Sequence, residues 1–186
     1  MLKRLPNILT ISRIVVIPFL LLLMCFDHSQ FGHLVAAGLF LYACITDFLD
    51  GFLARAWSMQ TKLGQFLDPI ADKLLVGSVI LVLVHFDRAD LLPAIAIICR
   101  EILVSGLREF LAEIRVSVPV SELAKVKTFL QMTAIFILVL GNEGMGDLSY
   151  INFIGRITLW VAAGLTLVTG YAYLKASIVH LTNQES

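Results

Sequence analysis

Four aspartates, Asp47, Asp50, Asp68 and Asp72, stand close together in an otherwise apolar chain. They lie in the string Asp47-Phe48-Leu49-Asp50-Gly51-Phe52-Leu53-Ala54-Arg55, then eight residues, then Gly64-Gln65-Phe66-Leu67-Asp68-Pro69-Ile70-Ala71-Asp72. Asp47 and Asp50 are three apart and Asp68 and Asp72 four apart, so on helices each pair occupies one face. Two such faces meeting make a carboxylate cage. Burying one carboxylate at a membrane edge is costly, and burying four together is untenable unless cations sit between them. The string contains no histidine or cysteine, and an all-oxygen site suits Mg²⁺, Mn²⁺ or Ca²⁺ rather than zinc or copper. Four carboxylates suffice for two ions, and paired ions are a recurring device for phosphoryl displacement. Asp68 alone has a simpler reading, a helix N-cap with Pro69 at the first helical position. That reading leaves the other three aspartates unexplained.

Gly51, Ala54 and Gly64 leave space for a flat or phosphorylated group to press against backbone. Arg55 is an always-charged fork suited to phosphate oxygens. Taken singly, Gly51 or Ala54 equally suits close helix packing in a membrane, and Arg55 a snorkelling interfacial side chain. Beside the carboxylates, ligand space is the better reading.

The elements that must position these groups are membrane helices. The 186 residues are 59% hydrophobic and only 15% charged, with a mean hydropathy of +0.89. A soluble domain is typically about 45–50% apolar and about 25% charged. At roughly 20 apolar residues per crossing, the length holds about six helices. The expected fold is therefore an all-α integral membrane protein. It has six transmembrane helices in one bundle and a single domain over residues 1–186, without a separate soluble domain. Apolar segments run over 8–26, 33–55, 66–86, 91–112, 122–141 and 149–175. The breaks between them are short, which predicts that consecutive helices pack as antiparallel neighbours.

Of the 14 basic residues, all but Arg88 and Arg156 fall on one side or near its helix ends. By the positive-inside rule both termini and the aspartates face the cytoplasm, and the protein is expected in the inner membrane. Lys3 and Arg4 precede an apolar run, but no small-x-small cleavage site follows Phe26, so the first helix is expected to be retained. Cys25, Cys44 and Cys99 stand alone in apolar stretches and read as small buried hydrophobes. A formal net charge of zero gives no sign of a nucleic-acid partner. Gly144-Met145-Gly146-Asp147 spells the motif of intramembrane aspartyl proteases, but it falls in a loop and has no Tyr-Asp partner.

The aspartate string resembles the signature of the CDP-alcohol phosphotransferase family, D-x-x-D-G-x-x-A-R, eight residues, G-x-x-x-D-x-x-x-D. All eight fixed positions match over 26 residues. The resemblance implies that Asp47, Asp50, Asp68 and Asp72 bind two divalent cations, Mg²⁺ or Mn²⁺. It implies that Gly51, Ala54, Arg55 and Gly64 receive the cytidine diphosphate moiety, and that Asp72 is the general base. The implied reaction moves a substituted phosphate from a CDP-activated group to an alcohol and releases CMP.

A second cluster concerns the alcohol. Arg100 and Arg108 are eight apart, about two turns, and share a helix face. Arg100 lies well inside an apolar run and needs an anionic partner, with Glu101 and Glu109 as candidates. Glu122 is placed to pair with Lys125 or Lys127. One reading is a salt-bridge network linking helices. The other is a pocket in which Arg100, Arg108, Lys125 and Lys127 bind a phosphate on the acceptor. Pro6-Asn7-Ile8-Leu9-Thr10-Ile11-Ser12-Arg13, Arg100-Glu101, Ser105-Gly106-Leu107-Arg108-Glu109, and Lys125-Val126-Lys127-Thr128 with Gln131 are similar to family members that make phosphatidylglycerophosphate in bacteria. That similarity implies CDP-diacylglycerol and sn-glycerol 3-phosphate as substrates, and a homodimer in the bilayer. Ala124 departs from the glycine usual in that pattern. Asn7, Thr10 and Arg13, recurring every three residues, either line the donor site from the first helix or anchor it at the interface. Inositol phosphate, serine and phosphatidylglycerol are the alternative acceptors. A divalent-cation transporter is the alternative of another class, but it requires polar residues continuing to the far side, where Leu39, Phe40, Leu81 and Val82 are apolar.

Overall fold

The computed structural model describes residues 5–27, 29–56, 62–114, 122–144 and 150–182. Among them are six helices: α1 (Leu5–Phe26), α2 (Gln30–Ala56), α3 (Lys62–His85), α4 (Leu91–Glu113), α5 (Glu122–Gly144) and α6 (Tyr150–Thr182). Each expected apolar segment carries one helix. Four of them hold a stretch long and apolar enough to cross a membrane: Leu9–Phe26, Gln30–Leu49, Glu122–Gly141 and Tyr150–Ile178. α3 and α4 are long enough but more charged. Every 18-residue stretch of α3 contains Asp68, Asp72 and Lys73, and every such stretch of α4 contains Arg100, Glu101 and Arg108. The least lipid-like helices are the ones that carry the ionic groups.

The helix bounds correct one reading of Asp68. α3 begins at Lys62, so Asp68 and Pro69 lie inside it, and Asp68 is not an N-cap. Pro69, like Pro18 in α1, removes one intrahelical hydrogen bond without ending its helix.

The packing corrects a second expectation. α1 packs along α2, α3 against α4, and α5 along α6, as short connections dictate. Among the described residues, however, α2 with α3 and α4 with α5 are not closely packed pairs. Instead α1 lies against both α2 and α3, and α6 lies against both α4 and α5, while α2 and α5 join the two halves. Charge accounts for the first wedge, because Asp47 of α2 and Asp72 of α3 both reach Arg13 of α1.

Along the axis, Leu20, Phe40, Val79, Ile80, Leu83, Ile97, Ile135, Leu138 and Leu159 are buried. Ala36, Ala43, Ala134 and Ala162 are buried among them and let helices approach closely, the usual source of packing energy between helices in lipid. The outer surface carries Phe19, Phe26, Leu81, Leu92, Phe129, Phe153 and Val168, an apolar exposure that water would not tolerate and lipid would. α5 leaves helical geometry at Gly141 (φ 63°, ψ −178°), a region open essentially to glycine alone. Gly141→Ala should therefore cost about 1–3 kcal/mol, read as a lower melting temperature in detergent.

Polar groups gather at two ends of the bundle. At one end the Trp160 indole donates to Asp90 at 2.8 Å, Arg156 donates to Asp90 at 2.7 Å, and Arg88 meets His33 at 3.0 Å. The sequence sets Arg88 and Arg156 apart from the other basic residues, and both lie here. Asp47 follows His33 by 14 residues of α2, about 21 Å along the helix. The hydrogen bond from Trp160, then the hydrogen bond and charge of Arg156, hold the Asp90 carboxyl below the usual carboxylate range. A depressed folded value contributes stability that is complete above the ordinary pKa of about 3.9 and is lost as pH falls through the lowered value. The melting-temperature gap between wild type and Asp90→Asn should accordingly narrow below about pH 4. A gap constant with pH would show that the Asp90 contacts are not ionic.

Candidate active site

At the other end, α1, α2 and α3 bring together residues distant in sequence. Thr10 and Arg13 are three apart on α1 and share a face. Thr10 donates its hydroxyl to Asp68 Oδ1 at 2.5 Å. Arg13 Nη1 donates to Asp47 Oδ1 and also to Asp72 Oδ1, the latter at 2.7 Å, and Nη2 lies 3.5 Å from Asp68 Oδ1. The Arg13 side chain is 1% exposed, whereas the three carboxylates are 38–44% exposed. The guanidinium therefore forms the floor of an acidic bowl whose rim is open. Gly64, one turn before Asp68, is buried.

Two findings refine the expectation of a buried cage. The aspartates are half exposed, which lowers their desolvation cost. The cation among them is also a side chain of the protein. Among the described residues, no three acidic, histidine or cysteine side chains surround one point as ligands would. Beyond Asp47, α2 runs on through Asp50, Gly51, Ala54 and Arg55. Their side chains, and that of Asn7 on α1, lie outside the described residues.

The donor set still fits a hard cation. Three carboxylates against one guanidinium leave a formal charge of −2, and all the available atoms are oxygens. Asp47, Asp68 and Asp72 converge from two helices on a single positive group, Arg13.

The second cluster joins α4, α5 and α6. Lys127, 3% exposed, donates to Glu101, which also lies 3.4 Å from Arg100. Arg100 reaches Thr169 of α6 at 3.3 Å, and the Arg108 guanidinium stands 5.9 Å from the centre of the Tyr173 ring. Arg100, Arg108 and Lys127 thus share one region. Lys125 is exposed and pairs with Glu122 within its own turn at 2.8 Å. Lys73, next to Asp72, lies 3.8 Å from Glu109, next to Arg108, which ties the helix carrying part of the bowl to the helix carrying part of the cluster.

Sequence reasoning missed Arg13 as the partner of the aspartates. The available signal was an arginine inside an apolar helix, which needs an anion at its own depth. It also missed Thr169 and Tyr173, because α6 carries no recognisable motif, and Lys73, whose partner Glu109 lies on another helix.

Comparison with known proteins identifies the family. A family model described as CDP-alcohol phosphatidyltransferase matches residues 3–168. A CDP-diacylglycerol–glycerol-3-phosphate 3-phosphatidyltransferase of Rickettsia felis is 54% identical over 174 residues, covering 94% of this chain and 95% of that protein. Proteins of the same name are 40% identical in Pectobacterium atrosepticum, over 92% of this chain and 93% of that protein, and 34% identical in Cereibacter sphaeroides, over 97% and 98%. The aspartate bowl and the basic side chains Arg100, Arg108 and Lys127 lie within the matched region: the chain belongs to the CDP-alcohol phosphatidyltransferase family.

Proposed function

We propose that the protein transfers the phosphatidyl group of CDP-diacylglycerol to sn-glycerol 3-phosphate, giving phosphatidylglycerophosphate and CMP. The observation that carries this reading is the acidic bowl of Asp47, Asp68 and Asp72 together with the basic cluster, in a chain whose relatives bear the name of that reaction. Asp47, Asp50, Asp68 and Asp72 would hold two divalent cations, Mg²⁺ or Mn²⁺, which supply neutralisation of the diphosphate charge when bound.

The other steps belong to side chains. Thr10, Asn7, Gly51, Ala54, Arg55 and Gly64 form the donor side, with Arg55 against phosphate oxygens. Arg100, Arg108 and Lys127 bind the acceptor phosphate, with Lys125 at the rim. Asp72 takes the proton from the acceptor hydroxyl. The hydroxyl oxygen then bonds to the phosphorus that carries diacylglycerol. The diphosphate P–O bond breaks, and CMP leaves with its electron pair. The acyl chains stay in lipid throughout, while the half-exposed bowl admits a water-soluble acceptor.

The same reading includes a single domain of six spans. α3 and α4 also cross, both termini lie in the cytoplasm, and the site faces the cytoplasm from the inner membrane. It also includes a homodimer formed through an apolar helix face. The distribution of basic residues supports this orientation.

The deciding experiment supplies purified protein with CDP-diacylglycerol, Mg²⁺ and each of four acceptors, and measures CMP release. Release with glycerol 3-phosphate, and little with serine, inositol phosphate or phosphatidylglycerol, is the expected result. Release with another acceptor alone would leave the reaction class standing and remove the acceptor. Folded protein that yields no CMP with any acceptor would remove both.

A further inference from the structure

The basic cluster is held from a helix that carries no motif. Arg100 Nη2 donates to Thr169 Oγ1 at 3.3 Å, and the Arg108 guanidinium stands 5.9 Å from the Tyr173 ring centre. Thr169 and Tyr173 are four apart and share a face of α6. Gly170 lies between them and is buried against the arginine. A Cβ there would stand 2.9 Å from Arg100 Cγ and 3.4 Å from Nε, so the Arg100 stem rests directly on glycine backbone. Arg100 Nε is buried against this cradle and has no hydrogen-bond partner among the described residues, so the seating is made by packing as well as by the Thr169 contact.

We infer that α6 is a wall of the acceptor site, and that Thr169, Gly170 and Tyr173 are positioning residues that aim Arg100 and Arg108 at the acceptor's phosphate. This rests on the acceptor reading above. The physical basis is preorganisation. A long arginine loses rotamer freedom when it grips an anion, and a side chain already seated by a hydroxyl, an aromatic face and a glycine cradle has less to lose. The seating acts on ground-state binding of the acceptor, so its signature is in KM rather than kcat.

CMP-release kinetics on the purified full chain test this. Tyr173→Leu removes the ring face and should raise the KM for glycerol 3-phosphate about three-fold, a fold-change typical of a lost cation–π contact. Gly170→Ala displaces the Arg100 stem and should raise it more. In both, kcat and the KM for CDP-diacylglycerol should stay within about two-fold of wild type. Tyr173→Phe keeps the ring and should behave as wild type. Thr169→Val removes the hydroxyl at constant shape and provides a second probe if Gly170→Ala does not fold.

Arg108→Ala is the control for the underlying reading. If it raises the acceptor KM while the α6 variants do not, the inference about α6 fails and the acceptor site stands. If it leaves that KM unchanged, the acceptor site and the role of α6 fail together. An equal rise in both substrates' KM values in the α6 variants would indicate general loosening of the bundle and overturn the inference.

Discussion

Asp72→Asn is expected to fold, to keep most of its affinity for Mn²⁺, and to turn over about 10²–10⁴-fold more slowly than wild type, the usual contribution of a general base. The substitution is close to isosteric. The amide oxygen can still accept the 2.7 Å hydrogen bond from Arg13, and the side chain is 44% exposed, so packing has little to lose. What disappears is the group able to carry the acceptor's proton. Asp72 has one oxygen on Arg13, and its half-exposed carboxyl can meet an incoming hydroxyl. The measurement is CMP release at saturating substrates, with Mn²⁺ binding followed separately by electron paramagnetic resonance. A rate within tenfold of wild type would remove Asp72 from that role. Lost metal binding together with lost rate would explain the slow turnover by the metal alone and leave the role of base without support.

The second large effect concerns stability without metal. Arg13→Met should destabilise the metal-free protein by about 2–3 kcal/mol, and Mg²⁺ should recover much of the loss. Removing one partner of a fully buried ion pair costs about 3–5 kcal/mol, because the remaining charge is left uncompensated. Here the guanidinium is buried but its carboxylates are half exposed, so water screens part of the repulsion and the lower figure applies. Methionine fills a similar volume, which separates the charge effect from a cavity. Melting temperature in detergent, with chelator and then with millimolar Mg²⁺, reads both arms. Wild type should gain less from Mg²⁺ than the variant. If the two gain equally, Arg13 does not act as the internal counter-charge of the bowl.

The two aspartate pairs, the helical periodicity and the confinement of most basic residues to one side were all legible, because each is a local pattern. Helix beginnings were less so. Hydropathy starts the third segment at 66, whereas α3 begins at Lys62, since a membrane helix runs on into polar sequence where hydropathy no longer marks it. The near-neighbour ion pair Glu122–Lys125 follows from i,i+3 spacing. The pairing of Lys127 with Glu101, across 26 residues, does not, and neither does Arg13 with aspartates 34 and 59 residues away. Those partners are chosen by which helices touch. The order of contacts, with α1 between α2 and α3, contradicts the simplest expectation for short connections.

The wedge positions of α1 and α6 bear on the order in which the protein matures. The first helix supplies Arg13 to aspartates that emerge from the ribosome only later, and the last helix supplies Thr169 and Tyr173 to arginines made long before. During synthesis the acidic bowl can close as soon as α3 enters the bilayer. Arg100 and Arg108, by contrast, lack their α6 contacts until the final helix is threaded between α4 and α5. A chain arrested before residue 150 would hold its acidic half assembled and its basic half unseated, which makes insertion of α6 the step that seats the basic cluster.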